Sequence, residues 1–275
     1  MTCQFGLIGH PLGHSKSPVM HEAAYKDMGL DAVYRAYDIS PKELGNAIRT
    51  MKAQGIDGFN VTIPHKVAII DYLDEIDEDA EAMGAVNTVV CQNGRWVGKN
   101  TDADGYMESL LPLVSDQSLK GSSVLVIGAG GAARAVIHAL GKQRATISVS
   151  NRTAEKAQEL AQLFSHLTIE AIPLNEAEST LGTYDILINT TSVGMYPDTS
   201  KQPIALDRLK QATIVSDLIY NPYETALLQE AKQRGNRILN GIGMFVNQGA
   251  LSIEHWTGRK PNRKCMERVV RMHLT

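Results

Sequence analysis

Short apolar runs alternate with stretches of helical periodicity almost from end to end of the chain, a pattern that predicts α/β architecture. In the first hundred residues the runs Gln4–Gly9, Ala32–Asp38, Gly58–Thr62 and Val86–Cys91 predict strands. Pro18–Met28, Pro41–Ala53 and Pro64–Leu73 predict the helices between them, each opened by a proline suited to a first helical turn. Asn93-Gly94 predicts a tight turn into a further strand at Trp96–Gly98. The acidic run Asp74–Glu81 reads as a solvated segment. A second series starts near Lys120-Gly121. Its strands are expected at Ser123–Ile127, Thr146–Ser150, Ile169–Ile172, Ile186–Asn189, Ile214–Asp217 and Arg237–Asn240, with helices at Ala132–Leu140 and Thr153–Phe164. Two amphipathic patterns, Met244–Trp256 and Pro261–Met272, close the chain. They are expected to return to the first series, which is short of helices to cover its sheet.

Composition narrows the function classes. Lys and Arg total 27 against 30 Asp and Glu, a net charge of −3, which argues against a nucleic-acid binder. The basic tail from Arg259 to Arg271 alternates with apolar residues and reads as a solvated helix face. Cys3, Cys91 and Cys265 are odd in number and in no metal-binding spacing, which suits a reducing compartment. No secretory leader pattern and no apolar run of membrane-spanning length is visible, so a cytoplasmic protein with no membrane partner is expected.

Gly128-Ala129-Gly130-Gly131-Ala132-Ala133 fits G-x-G-x-x-G/A between an apolar strand and an Ala-rich helix, the context that gives this fingerprint its meaning. Glycines let the backbone approach a pyrophosphate, and the helix N-terminus supplies unpaired N–H groups. After the next strand stands Ser150-Asn151-Arg152-Thr153. An NAD site usually carries a carboxylate there for the ribose 2′-hydroxyl, whereas a guanidinium pairs with a 2′-phosphate. NADP is therefore expected over NAD. Thr190–Met195, including Ser192, follows a strand of the same series, as do Leu218-Ile219 and Gly241 with Met244. These positions are candidate neighbours of a nicotinamide.

In the first series, Ser15 and Ser17 precede Pro18. Ser17 has the form of an N-cap, and with the helix dipole the two hydroxyls suit a carboxylate. His10 and His14 lack a third ligand nearby, so no metal site is expected. Strand alternation points Asn60 and Thr62 the same way, and Lys66 is expected in a first helical turn, against the dipole, where it calls for a partner. Asp102, in Asn100-Thr101-Asp102, is the candidate partner; Lys66 and Asp102 would form an acid–base pair among the neutral groups Asn60, Thr62, Asn87 and Thr101.

Together these segments resemble the shikimate/quinate dehydrogenase family, through His14–Pro18, Asn60–Lys66, Gly84–Thr88, Asn100–Asp102, Gly128–Ala133, Asn151–Thr153, Asn189–Met195, Asp217–Pro222 and Gly241–Gln248. The resemblance implies two α/β domains with a cleft between them. Residues 1–102 plus 242–275 would be a substrate-binding domain and 103–241 a Rossmann-like NADP-binding domain. It implies NADPH-dependent reduction of 3-dehydroshikimate to shikimate, with Lys66 as catalytic acid/base and Asp102 as its partner. Ser15 and Ser17 would bind the substrate carboxylate with Tyr220 nearby, while Asn87, Asp102, Thr62 and Gln248 would meet ring hydroxyls. Gly128–Ala132 and Asn151–Lys156 would hold NADP, with Leu218 and Gly241 nearby and a further contact from Glu78. No metal is implied, and the protein would be a monomer or homodimer. Two positions depart mildly from the family pattern: Glu22 after His21, and Phe245-Val246-Asn247 before Gln248. A dual quinate/shikimate enzyme and a non-catalytic NADP-binding regulator are the alternative readings.

Overall fold

The computed structural model describes residues 2–13 and 15–274. Contacts divide them into two units, one formed by residues up to Asp102 together with Val246–His273, the other by Ala103–Phe245. In chain order the first unit begins with β1 (Cys3–Gly9), α1 (Ser17–Met28), β2 (Ala32–Asp38), α2 (Leu44–Ala53) and β3 (Gly58–Val61). It continues with β4 (Glu75–Ile76), α3 (Glu78–Met83), β5 (Thr88–Gln92) and β6 (Arg95–Lys99). Helix α4 (Asp102–Leu110) leads on to β7 (Ser123–Ile127), α5 (Gly131–Lys142), β8 (Thr146–Ser150) and α6 (Ala154–Leu163). Then come β9 (Ile169–Ala171), α7 (Leu174–Ser179), β10 (Ile186–Asn189), β11 (Ile214–Asp217), α8 (Ala226–Gln233) and β12 (Arg237–Leu239). Helices α9 (Ile242–Thr257) and α10 (Arg263–Met272) end the chain.

The first sheet has the order β2-β1-β3-β5-β6-β4. Its β1 pairs parallel with β2 and β3, and β5 runs antiparallel to β3 and β6. All four residues of β3 are buried, so its run reads as continuously apolar apart from Asn60, the mark of a strand covered on both faces. Phe59 meets Trp96 edge-to-face with ring centroids 5.0 Å apart. A side chain of this size contributes roughly 1.5–3 kcal/mol on full burial. α10 packs against α1, so the closing helix completes the cover of this sheet. On α9, Trp256 approaches so closely that a Cβ at Gly58 would lie 2.4 Å from its indole nitrogen. That nitrogen donates to the Val89 carbonyl at 2.9 Å.

The second sheet is wholly parallel, in the order β12-β11-β10-β7-β8-β9. α5 packs on β7 and β8, α6 on β8 and β9, and α8 on β11 and β12. The strand order reverses between β7 and β10, the topological switch point outside which open α/β sheets bind ligands.

Several expectations need correction. Pro64–Leu73 is not an α-helix but a run of turns followed by a 3-10 segment at Ala68–Tyr72. Lys66 therefore sits in a turn, and the opposing helix dipole inferred for it does not exist. The acidic run is structured: Asp77 accepts from the Ala80 N–H and caps α3, with Glu78, Asp79 and Glu81 in the first turn. Carboxylates there are favoured by the dipole, which is why so acidic a sequence still makes a helix. Ser17 is not the N-cap of α1. That position is Lys16, without a side-chain cap, and the Ser17 N–H donates to Ser15 Oγ at 3.3 Å. α7 and α8, too short to show periodicity, went unpredicted.

Candidate active site

Lys66 and Asp102 meet within the first unit. The Lys66 Nζ donates to Asp102 Oδ2 at 2.5 Å, with the two side chains only 16% and 6% exposed. The Lys66 carbonyl accepts from the Val86 N–H at 2.8 Å, which fixes the turn against the segment that leads into β5. Asp102 opens α4, where its charge complements the dipole, and its N–H donates to Asn100 Oδ1 at 3.0 Å. Its other oxygen, Oδ1, accepts from Asn87 Nδ2 at 2.8 Å. Asn87 Nδ2 also donates to Thr101 Oγ1 at 3.0 Å, and Asn87 Oδ1 accepts from the Thr101 N–H at 2.8 Å. Both carboxylate oxygens are thus held, so the lysine is presented by a fixed partner.

Asn60, grouped by sequence with the substrate contacts, has its side-chain amide engaged inside the protein. Its Oδ1 accepts from the Tyr34 hydroxyl at 2.8 Å, and its Nδ2 donates to Ser252 Oγ at 2.8 Å. Gln248 joins the same region through its carbonyl, which accepts from Thr101 Oγ1 at 3.0 Å. Thr62 is half-buried, and its N–H donates to the Ile8 carbonyl at 2.9 Å. Ser15 and Ser17 lie together at the start of α1, and Glu78 lies apart on α3. His10 pairs with Asp38 at 2.6 Å, not with a metal partner; His14 lies outside the described residues. No group of His, Cys, Asp and Glu suited to a metal ion occurs among the described residues.

In the second unit Gly128 follows β7 at φ +118°, and a Cβ there would lie 2.3 Å from Thr190 Oγ1. Only glycine fits, on grounds of both conformation and space. Beyond it Gly130 is the N-cap of α5, whose first turn has no side-chain cap and no atom within 4 Å of a Cβ built on Gly130. Open space in front of uncapped N–H groups, beside Ala129, Gly131 and Ala132, fits a pyrophosphate. Arg152, Thr153 and Lys156 are exposed after β8, and Asn151 Nδ2 donates to the Thr153 carbonyl at 2.9 Å. Arg152 on that turn and Lys156 in the first turn of α6 are two cations that fit a 2′-phosphate. Ser192 is exposed in the turn after β10. Leu218 donates its N–H to the Asn189 carbonyl, Gly241 donates to that of Ile219, each at 3.0 Å, and Tyr220 stacks on Phe245 at 4.4 Å.

The structure also shows groups the sequence reading missed. Asp217, 1% exposed, accepts from Thr225 Oγ1 at 2.7 Å, the Ile219 N–H at 3.0 Å and Asn189 Nδ2 at 3.1 Å. Burial pushes its carboxyl up to about 6 against these bonds. Asn189 in turn accepts from the Thr191 N–H and hydroxyl. One carboxylate thus ties together the ends of β10 and β11 and the cap of α8. Asp217-Leu218-Ile219-Tyr220 was legible as a segment, but nothing in its spacing gave Asp217 this role.

A wholly parallel sheet with a glycine turn at its switch point, joined in one chain to a unit with a locked lysine–carboxylate pair, defines a dinucleotide-dependent oxidoreductase of two α/β units. The family can be stated more closely. The shikimate dehydrogenase substrate binding domain matches residues 7–89, shikimate/quinate 5-dehydrogenase residues 113–218, and the shikimate 5′-dehydrogenase C-terminal domain residues 241–271. A shikimate dehydrogenase (NADP(+)) of Shouchella clausii (strain KSM-K16) is 96% identical over 275 residues, all of both chains. A shikimate dehydrogenase crystallised with NADP+ superposes with a TM-score of 0.93 at 43% identity, covering 100% of this chain and 96% of that one. The enzyme of Thermus thermophilus with NADP(H) and shikimate gives 0.89 at 37% identity, covering 99% and 100%. The chain belongs to the shikimate dehydrogenase family.

Proposed function

We propose that this protein catalyses the reversible NADPH-dependent reduction of 3-dehydroshikimate to shikimate, a step towards aromatic amino acids. The observation that carries the reading is the buried Lys66–Asp102 pair, with Asp102 held on both oxygens. Residues 1–102 with 242–275 would bind substrate, and residues 103–241 would bind NADP.

Ser15 and Ser17 take the substrate carboxylate, with Tyr220 near it, while Thr62, Asn87, Thr101, Asp102 and Gln248 address the ring hydroxyls. Gly128–Ala132 meet the pyrophosphate, Asn151, Arg152, Thr153 and Lys156 the 2′-phosphate, and Ser192, Leu218 and Gly241 the nicotinamide end, with Glu78 as an outlying contact. Bound NADPH supplies the hydride for the carbonyl carbon. Lys66 Nζ gives its proton to the carbonyl oxygen as negative charge develops there, and the product is the alcohol. The lysine then takes a proton back from solvent. Asp102 keeps Nζ aimed at that oxygen, so orientation is supplied before the reaction begins. In the oxidative direction the same lysine, once neutral, accepts the hydroxyl proton.

No helix among the described residues is long and apolar enough to cross a membrane; we place the protein in the cytoplasm, as a monomer. Absorbance at 340 nm, with shikimate and quinate each offered with NADP+ and NAD+, tests the reading. Reduction with shikimate and NADP+ alone is the expected result. Preference for quinate or NAD+ overturns the specificity, and NADP+ binding without any turnover makes the protein a regulator.

A further inference from the structure

Tyr34 has no part in the reaction just described, yet its phenol is 3% exposed and donates to Asn60 Oδ1 at 2.8 Å. Burial raises its pKa well above the usual range, and the Ser17 hydroxyl beside it opposes that rise. The phenol is thus tied to the amide of Asn60. Its ring is fixed by His21, stacked at 4.0 Å and 9°. Burial lowers the His21 pKa to about 3, so this neighbour is neutral at working pH.

Asn60 carries the connection onward to Ser252, a residue of α9 that is fully buried. The Ser252 hydroxyl donates to the Gln248 carbonyl at 2.9 Å and lies 2.8 Å from Thr88 Oγ1. Thr88 Oγ1 donates to Asn87 Oδ1 at 2.8 Å, and Asn87 holds Asp102. An unbroken run of neutral buried groups therefore joins Tyr34 to the Lys66–Asp102 pair. Satisfied buried networks of this kind are rigid, and removing one partner leaves another unpaired.

We propose that Tyr34 and Ser252 are positioning residues: through Asn60, Thr88 and Asn87 they hold the Lys66–Asp102 pair in the place that a rigid hydroxylated ring acid requires. This rests on the reading of the site as a shikimate site. Neither residue touches substrate in this proposal.

The test is Tyr34→Phe and Ser252→Ala, with KM for shikimate and NADP+, kcat and melting temperature measured beside the parent protein. Loss of the buried hydrogen bond to Asn60 in each predicts a shikimate KM raised about fivefold to tenfold. NADP+ KM stays unchanged, and kcat falls by less than about threefold, since the proton-transferring groups themselves remain. Because both changes act through Asn60, the double variant raises the shikimate KM by less than the product of the singles. An unchanged shikimate KM in the folded variants overturns the proposal. So does a parallel loss in both KM values with a collapsed melting temperature. Should Tyr34→Phe fail to fold, Ser252→Ala decides. A parent protein that does not oxidise shikimate defeats the functional reading, and this inference with it, before any variant is made.

Discussion

The two units each bury a carboxylate, Asp102 at 4% and Asp217 at 1% exposure, and they stabilise it by opposite means. Asp102 is paired with a cation at 2.5 Å and oriented by neutral donors. Asp217 has no cation within ion-pair distance among the described residues and relies on Thr225, Asn189 and a backbone N–H. The second unit keeps its positive charge outside, on the exposed Arg152 and Lys156 after β8. On the proposed function the charge kept inside would serve a proton transfer, and the exposed charges would remain available for a phosphate. Breaking a buried pair by removing one partner leaves the other charge uncompensated, so the first arrangement is the more fragile to substitution.

The largest effect is therefore expected from Lys66→Ala. On the proposed mechanism it removes the proton donor, and it strands Asp102. General acid–base groups are worth about 10²–10⁴-fold, so kcat falls by roughly that factor while shikimate binding, followed by intrinsic fluorescence, is retained. Turnover intact with affinity lost would instead make Lys66 a binding group and dissolve the contrast between the two carboxylates.

The second expectation concerns pH. Asp217 rises from 3.8 in the unfolded chain to about 6 in the fold, chiefly through burial. Between these values the folded state binds the extra proton, so this group's contribution makes stability fall as pH rises from about 4 to 6. Below 4 its cost is absent, and above 6 it is complete, on the order of 3 kcal/mol. Asp217→Asn removes that dependence. Denaturant unfolding at pH 4 and pH 7.5 should show the variant gaining on the parent as pH rises, whatever its absolute stability. A difference independent of pH would mean that the donors around Asp217 match burial fully.

How far the sequence carried these conclusions depended on whether the information was local. β7, its glycine turn and α5 were legible because an apolar strand, Gly128–Gly131 and an amphipathic helix follow one another without interruption. β3 was legible by its apolar run. α3 was hidden by its acidity, since the cap that makes it a helix comes from Asp77 and cannot be told from a solvated charge. Lys66 was singled out by a helix that does not form, although its pairing with Asp102 was anticipated and is present in the structure. Ser252 stands 192 residues from Asn60, and Tyr34 stands 26 from it. Their meeting depends on the sheet order and on α9 closing over it, which no spacing rule contains.

The smallest effect is expected at the rim. Arg152 is exposed and makes no ion pair among the described residues, so replacing it leaves nothing buried and unpaired. On the proposed function its pairing with a 2′-phosphate would be shared with Lys156 and screened by water, which would limit what one guanidinium contributes. Arg152→Gln should raise the KM for NADP+ roughly tenfold, in line with one charge-assisted hydrogen bond near a surface. The KM for NAD+, which has no phosphate there, should stay the same, and so should the melting temperature. Raising the salt concentration should shrink the difference between variant and parent, since the parent loses what the variant already lacks. A variant weakened equally towards both nucleotides would show that Arg152 stacks on the adenine or shapes the turn. Phosphate discrimination would then rest on Lys156 and on the absence of a carboxylate after β8.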